Sequence, residues 1–396
     1  TKANNKYFSY LSPEYSPAIS EGIDATKLPI NALKYLTNLQ NKVYSVTEFD
    51  SYSSCSIKYL YERILRLKID EELELSLSPL ELGNLIHRIL YLFYKEQRTI
   101  QYNQDVLLKS NNPDPQQAQA KDIFLVELDK AHRSAYLESL ISIAKTEIDQ
   151  IKYSHPLFNL DLEAIIGDGT RKGLLEIWLD EELNKRTNKV AWNFQPALFE
   201  IEFGEQHKAN SRKYIQFENG LKVSGKIDRL EFYKSMNNIQ FMVADYKSNA
   251  VTYAKNKQIQ NFEMFQIPIY LKAAQKYIET NYSVPSDMQI EPAGGVYYSY
   301  KNSRKAKDNK SNYAKLVLIP EGNHLQDRWN SLSADSMSDF LDQASHAAYT
   351  ITKRIADGSF ELTDDKAACR YCKYGTICRI KDYKPNLQSS EVSEEE

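Results

Sequence analysis

No stretch of this 396-residue chain approaches the ~20 apolar residues that a membrane-crossing helix needs, which excludes a helical membrane protein. The N-terminus, TKANNKYFSY, lacks the apolar core and cleavage pattern of a secretory signal. It also lacks an initiator methionine, and reads as an excised part of something longer. Nothing resembles a P-loop, so no ATPase is expected of this chain. Internal repeats are absent. A strong charge of one sign is absent too: the net charge of −3 does not announce a nucleic-acid partner. That value averages unlike segments, because residues 301–315 carry six basic side chains against one acid while the chain ends in EVSEEE. The cationic segment suits a solvated loop and a phosphate contact about equally. With 42% hydrophobic and 26% charged residues, the composition is that of a soluble, cytoplasmic protein with one large domain or two ordinary ones.

Cysteine is scarce, and its distribution is informative. Three of the four cysteines, Cys369, Cys372 and Cys378, fall in CRYCKYGTIC, whereas Cys55 lies 314 residues before the first of them. In a reducing compartment clustered thiols read as metal ligands and not as disulfides. Three leave a four-ligand site one short, and Cys55 is the remaining cysteine. Four thiolates suit zinc or an iron–sulfur cluster, and the spacing does not choose between them. Either would act as a staple that closes a very long loop.

Residues 1–42 are polar, are interrupted by Pro13, Pro17 and Pro29, and read as a lead-in or the remnant of a preceding domain. Ser45 with Glu48 three positions on predicts a helix over VTEFDSY. Leu82, Leu85, Ile86, Ile89, Leu90 and Phe93 recur at helical spacing, with His87 among them. A histidine placed so is more often a satisfied core residue than a ligand. An insertion is expected around 100–190, with an Asn/Gln/Pro-rich segment at 101–121 and helical patterns at 122–153 and 171–186. Strand-like segments then dominate: ALFEIEFGE, LKVSGKIDRLEFY, IQFMVADYKS, AGGVYYSYKN and AKLVLIP, with a helical stretch over 255–279. This order predicts an α/β core with helical decoration, followed by an acidic, disordered tail over 384–396.

The hairpin GKIDRLEFYKSMNNIQFMVADYKS carries Asp228 on one strand and Asp245 and Lys247 on the next, with a turn at Met236, Asn237 and Asn238. Asp245 and Lys247, two apart on a strand, point to one side. They are either a solvated face or hard oxygen ligands beside a positive charge, the donor set of metal-assisted phosphoester hydrolysis. The apolar run FMVA ahead of Asp245 favours a buried, central strand, where such charges are expensive unless used. The Tyr246 carbonyl and Glu200 are further oxygen donors, with Glu202 a rival to Glu200. Gly225 permits close backbone approach, and Gln266 and Tyr270 share a helix face.

In order along the chain, YSVTEFDSYSSCSIKYLYE, LGNLIH, FEIEFG, GKIDRL, VADYKS, QIPIY and CRYCKYGTIC together resemble the RecB-type nucleases of the PD-(D/E)XK superfamily. The resemblance implies a restriction-endonuclease-like core, a central mixed β-sheet flanked by helices, over 43–383. It implies divalent metal, Mg2+ or Mn2+, on His87, Asp228, Asp245 and the Tyr246 carbonyl, with Lys247 and Glu200 in catalysis and Gln266 and Tyr270 orienting groups or contacting DNA. The one-plus-three cysteines resemble the iron-staple nucleases, which implies a 4Fe–4S cluster on Cys55, Cys369, Cys372 and Cys378 in preference to Zn2+. The wide interval after Cys55 resembles the AddB-type proteins, whose nuclease follows a helicase-like region. That implies a helicase-type partner or domain and exonucleolytic cutting of single-stranded DNA in double-strand-break repair. The alternatives are an inactive DNA-binding or structural module and a stand-alone CRISPR-adaptation-type nuclease. One departure is that Lys-Ile, and not a proline, precedes Asp228.

Overall fold

The computed structural model describes residues 28–68, 76–109, 123–151, 157–187, 193–203, 214–234, 238–248, 256–282, 289–300, 314–319, 336–370 and 372–378. The expected acidic tail, residues 1–27 of the lead-in, positions 110–121 of the insertion, turn residues Met236 and Asn237 and the basic residues at 301–313 lie outside them.

Helix α1 (Ile30–Leu39) begins directly after Pro29, whose fixed φ suits a helix entrance. No element is expected there from sequence, yet Leu36 is buried and α1 packs against α8 (Met337–Ala356) near the other end of the chain. Strand β1 (Tyr44–Ser45) leads into α2 (Val46–Ser54), the predicted helix, with the Glu48 carboxylate accepting the Ser45 N–H at 3.1 Å. Helix α3 (Pro79–Lys109) starts on Ser-Pro-Leu-Glu: the Glu81 N–H donates to Ser78 Oγ and the Ser78 N–H to Glu81 Oε2. The predicted apolar stripe is its buried face. The helix runs on to Lys109, so the first nine positions of the expected polar insertion are helical. Helices α4 (Arg133–Asp149), α5 (Phe158–Ile166) and α6 (Leu174–Thr187) follow, where two longer helices are expected. Trp178 of α6 packs edge-on against Phe93 and Tyr94 of α3, so the insertion shares the core.

The strands are β2 (Gln195–Phe203), β3 (Ile215–Gln216), β4 (Lys222–Lys234), β5 (Asn238–Lys247), β6 (Gln289–Ser299) and β7 (Ala314–Val317). Helix α7 (Gln266–Asn281) makes the crossover between β5 and β6. Among the described residues they form one mixed sheet in the order β1-β4-β5-β6-β7, with β2 and β3 also on β4. The β1–β4 and β5–β6 pairs are parallel and the rest antiparallel, as the expected mixed sheet flanked by helices requires. Central strand β5 alternates between two cores: Phe241 and Val243 pack beneath α7, Met242, Ala244 and Tyr246 beneath α3.

That alternation breaks on both β2 and β4 beside the end of the β4–β5 ladder. On β2 both Leu198 and Ile201 enter the α7-side core, and on β4 so do Ile227 and Leu230. A spacing of three on a strand means one residue in between has changed face, and Glu200 there has a φ of +50°. The pairs Phe199↔Arg229 and Ile201↔Ile227 bracket Glu200 and Asp228 on the two strands. The β4–β5 ladder also ends here, at Arg229↔Ala244.

Candidate active site

Past the end of that ladder, Asp228 does with its side chain what the backbone no longer does. Its Oδ2 accepts the N–H of Tyr246 at 2.9 Å. Its Oδ1 lies 3.3 Å from His87 Nδ1, and His87 Nε2 lies 3.2 Å from the Tyr246 carbonyl oxygen. His87 is therefore not a core residue: the helix that buries its neighbours carries it over the gap between β4 and β5. Burial opposes charge on this imidazole, but hydrogen bonding and attraction from Asp228 outweigh it and raise its pKa. The same pairing, with the Tyr246 N–H, holds Asp228 below the usual carboxylate range despite desolvation.

Asp245, 4% exposed, lies close enough to Asp228 for the two charges to repel. Burial pushes its carboxyl up to about 6; Lys247 opposes the rise and Asp228 adds to it. Lys247 Nζ lies 2.7 Å from Asp245 Oδ2, as their spacing on one strand predicts. Gln266, the first residue of α7, joins the pair: its Nε2 donates to Asp245 Oδ1 at 2.7 Å and its Oε1 accepts from Lys247 at 3.3 Å. Tyr270, one turn on, lies against Gly225; a Cβ there would come within 2.9 Å of its ring. Gly225, inside β4, thus admits a tyrosine ring.

Glu200 faces Asp228, and Lys226 pairs with it. Desolvation raises the Glu200 carboxyl, Lys226 opposing and Asp228 reinforcing. Its rival Glu202 is exposed. A left-handed φ on a glutamate costs on the order of 1–3 kcal/mol and is a feature of functional sites. Here it accompanies a compact donor set, since one ligand atom each from His87, Glu200 and Asp228 lie within 4.8 Å of one another. One imidazole and two carboxylates are suitable ligands for a divalent cation, with Asp245 and the Tyr246 carbonyl beside them. The residues present fit the implied metal.

Two supports of the site carry little signal in the sequence. Asp50 of α2 accepts the Phe265 N–H at 2.5 Å, holding the entrance of α7 and hence Gln266; burial lifts its carboxyl to about 6. Its only sequence signal is an acid in a helix whose buried face carries Val46, Phe49 and Tyr52 beside Glu48. Behind the site, Arg229 and Glu231 are wholly buried, although the Asp-Arg-Leu-Glu run resembles an exposed strand. Arg229 donates to Glu182 at 2.8 Å, to the Tyr94 and Tyr246 hydroxyls at 3.0 Å each, and to Glu231. Tyr246 is thereby gripped at its hydroxyl while its carbonyl faces His87.

At the far side of α2 the four cysteines line one small cavity with Ile57, Tyr61 and Tyr374, and none forms a disulfide. Cys55 opens the helical turn Ser56–Tyr59; Cys369 and Cys378 lie in the turns Lys366–Arg370 and Gly375–Cys378. Hydrogen bonds over some 305 residues of sequence run alongside, from Ser56 Oγ to the Glu361 carbonyl at 2.9 Å and from the Tyr374 hydroxyl to the Leu67 carbonyl at 3.2 Å. Four thiols in an apolar cradle fit a metal centre.

A family profile described as PD-(D/E)XK nuclease superfamily matches residues 43–379. Among curated proteins the chain is similar to an ATP-dependent helicase/deoxyribonuclease subunit of Clostridioides difficile, at 24% identity over 462 aligned positions covering 98% of this chain and 35% of that protein. The Exiguobacterium sibiricum protein of the same name is 20% identical, covering 89% of this chain and 32% of its own length. That of Lachnoclostridium phytofermentans is 22% identical over 64% of this chain and 18% of its own. The chain thus spans about a third or less of the curated relatives it matches.

Proposed function

The chain belongs to the PD-(D/E)XK nuclease superfamily, and on that premise we propose that it is a metal-dependent deoxyribonuclease that cuts single-stranded DNA exonucleolytically. It works as the nuclease portion of a helicase–nuclease in cytoplasmic double-strand-break repair and recombination. The single observation that carries this reading is the convergence of His87, Glu200 and Asp228 at the point where β4 and β5 part. The names of the relatives support the DNA substrate and the helicase partner. No helix among the described residues is long and apolar enough to cross a membrane.

His87, Asp228, Asp245 and the Tyr246 carbonyl, with Glu200, would hold Mg2+ or Mn2+. Bound there, the ion would neutralise charge on the scissile phosphate and favour a nucleophilic water. The chain's own groups do the rest. Asp245 and Gln266 aim the Lys247 ammonium toward that phosphate, where it orients the attacking water and stabilises charge in the transition state. Tyr270 packs beneath Gly225 and keeps α7 against the strand. A 4Fe–4S cluster on Cys55, Cys369, Cys372 and Cys378 would join the two ends of the domain; Zn2+ is the alternative occupant.

The test is cleavage of end-labelled single- and double-stranded DNA with and without Mg2+. Asp245→Ala and Lys247→Ala each abolish metal-dependent cleavage while circular dichroism stays unchanged. Cleavage retained in both variants would sink the assignment.

A further inference from the structure

From the metal donors a cleft of about 840 Å³ extends along edge strand β2, bounded by α3 on one side and by Tyr277 and Tyr282 on the other. Its α3 wall is a single helix face: Arg88, Tyr91, Lys95 and Arg98 stand at spacings of three and four. The Arg88 guanidinium and Lys95 ammonium lie 5.7 and 5.9 Å from the centre of the Tyr91 ring. Arg88 is half exposed and meets Glu147 at 3.4 Å. Among the described residues no carboxylate pairs with Lys95 or Arg98. The acids of the cleft, Glu200 and Glu202, lie on β2, and Glu200 belongs to the metal donors. One end of the groove is therefore built for a cation, and its α3 wall for anions beside aromatic faces.

We propose that this wall is a track for single-stranded DNA, gripping the strand next to the scissile phosphate. Arg88, Lys95 and Arg98 contact phosphates, while unpaired bases stack on Tyr91 and against Tyr277 and Tyr282. The track rests on the nuclease reading and extends it to the substrate's path. Ten residues of helix span about 15 Å, or roughly four nucleotides at the ~3.4 Å spacing of a B-form strand, fewer when stretched. Stacking is open only to unpaired bases, so the rings select single strands over duplex.

The experiment measures binding of fluorescein-labelled oligo-dT to this chain in EDTA by anisotropy, across a salt series, so that affinity is read without turnover. Lys95→Ala/Arg98→Ala weakens binding at least tenfold and reduces the log–log salt slope by about 1.4, at ~0.7 per phosphate contact. Tyr91→Ala weakens it by on the order of tenfold while Tyr91→Phe does not, because the ring and not the hydroxyl stacks. In Mg2+-dependent cleavage the double variant raises KM and leaves kcat near wild type. Unchanged affinity in both Lys95→Ala/Arg98→Ala and Tyr91→Ala overturns the track, as does duplex bound more tightly than single strand. The two readings fail separately: an active enzyme indifferent to these variants loses the track alone. A chain that binds through these residues but never cuts loses the nuclease and keeps the track.

Discussion

Glu200 and Asp228 face each other on adjacent strands where both strands lose their in–out alternation. The backbone change there takes Glu200 off the face of Leu198 and brings it to Asp228 and His87. The positive φ of Glu200 goes with its place in this cluster, which is the candidate metal site.

Glu200→Gln therefore keeps the strand but removes one charged ligand. Mn2+ affinity, followed by isothermal titration calorimetry, falls by about tenfold or more, with unfolding temperature in EDTA nearly unchanged. Glu202→Gln leaves Mn2+ affinity as it was. Equal affinity in wild type and Glu200→Gln would remove Glu200 from the donor set.

Arg229→Met strands Glu182 and Glu231 in the core without a cation. Breaking a buried ion pair from one side costs about 3–5 kcal/mol, and urea unfolding reads that loss directly. Adding Glu182→Leu and Glu231→Leu recovers part of it, since no charge is left unpaired although the Tyr94, Tyr246 and Tyr298 hydroxyls lose their partners. A single variant as stable as wild type would show that the network does not brace the fold.

Asp50 supplies a pH dependence. Its carboxyl titrates at about 6 in the folded chain, because burial disfavours the charge, against ~3.9 unfolded. Between these values the folded state binds the extra proton, so this group's contribution to stability is full below pH ~4 and declines as pH rises to ~6. The loss approaches ~3 kcal/mol at most. Asp50→Asn, which still accepts the Phe265 N–H, flattens that part of the stability profile. An identical profile in the variant counts against the assignment.

Cys55→Ser tests the staple. With a 4Fe–4S cluster, anaerobically purified protein is brown with broad visible absorbance, and zinc leaves it colourless. Loss of the cluster in Cys55→Ser destabilises the whole domain, because Cys55 anchors the sequence-distant arm. Hydrogen exchange that rises only around Cys369–Cys378 would instead mean a local clip.

Much of the site was legible because strand spacing and helical periodicity are short-range rules. Asp245 with Lys247, Gln266 with Tyr270, and the apolar stripe around His87 follow from two- and four-residue repeats. Glu200 over Glu202 did not, since regular alternation gives both the same face and the deciding event is a backbone flip. Arg229 and Glu231 resembled surface residues because their partners Glu182, Tyr94 and Tyr298 are remote in sequence. Helix α1 was hidden by the prolines before it.

By itself the sequence determined which residue types are present, their local spacing, and the order of motifs that marks the superfamily. Periodicity and donor chemistry are properties of the chain alone. Only the tertiary structure decided that β4 and β5 part at Asp228, that α3 brings His87 across that gap, and that Asp50 secures Gln266. It alone aligned Arg88, Tyr91, Lys95 and Arg98 with a cleft leading to the donors. Those relations join residues up to hundreds of positions apart, and a register break between strands has no short-range signature.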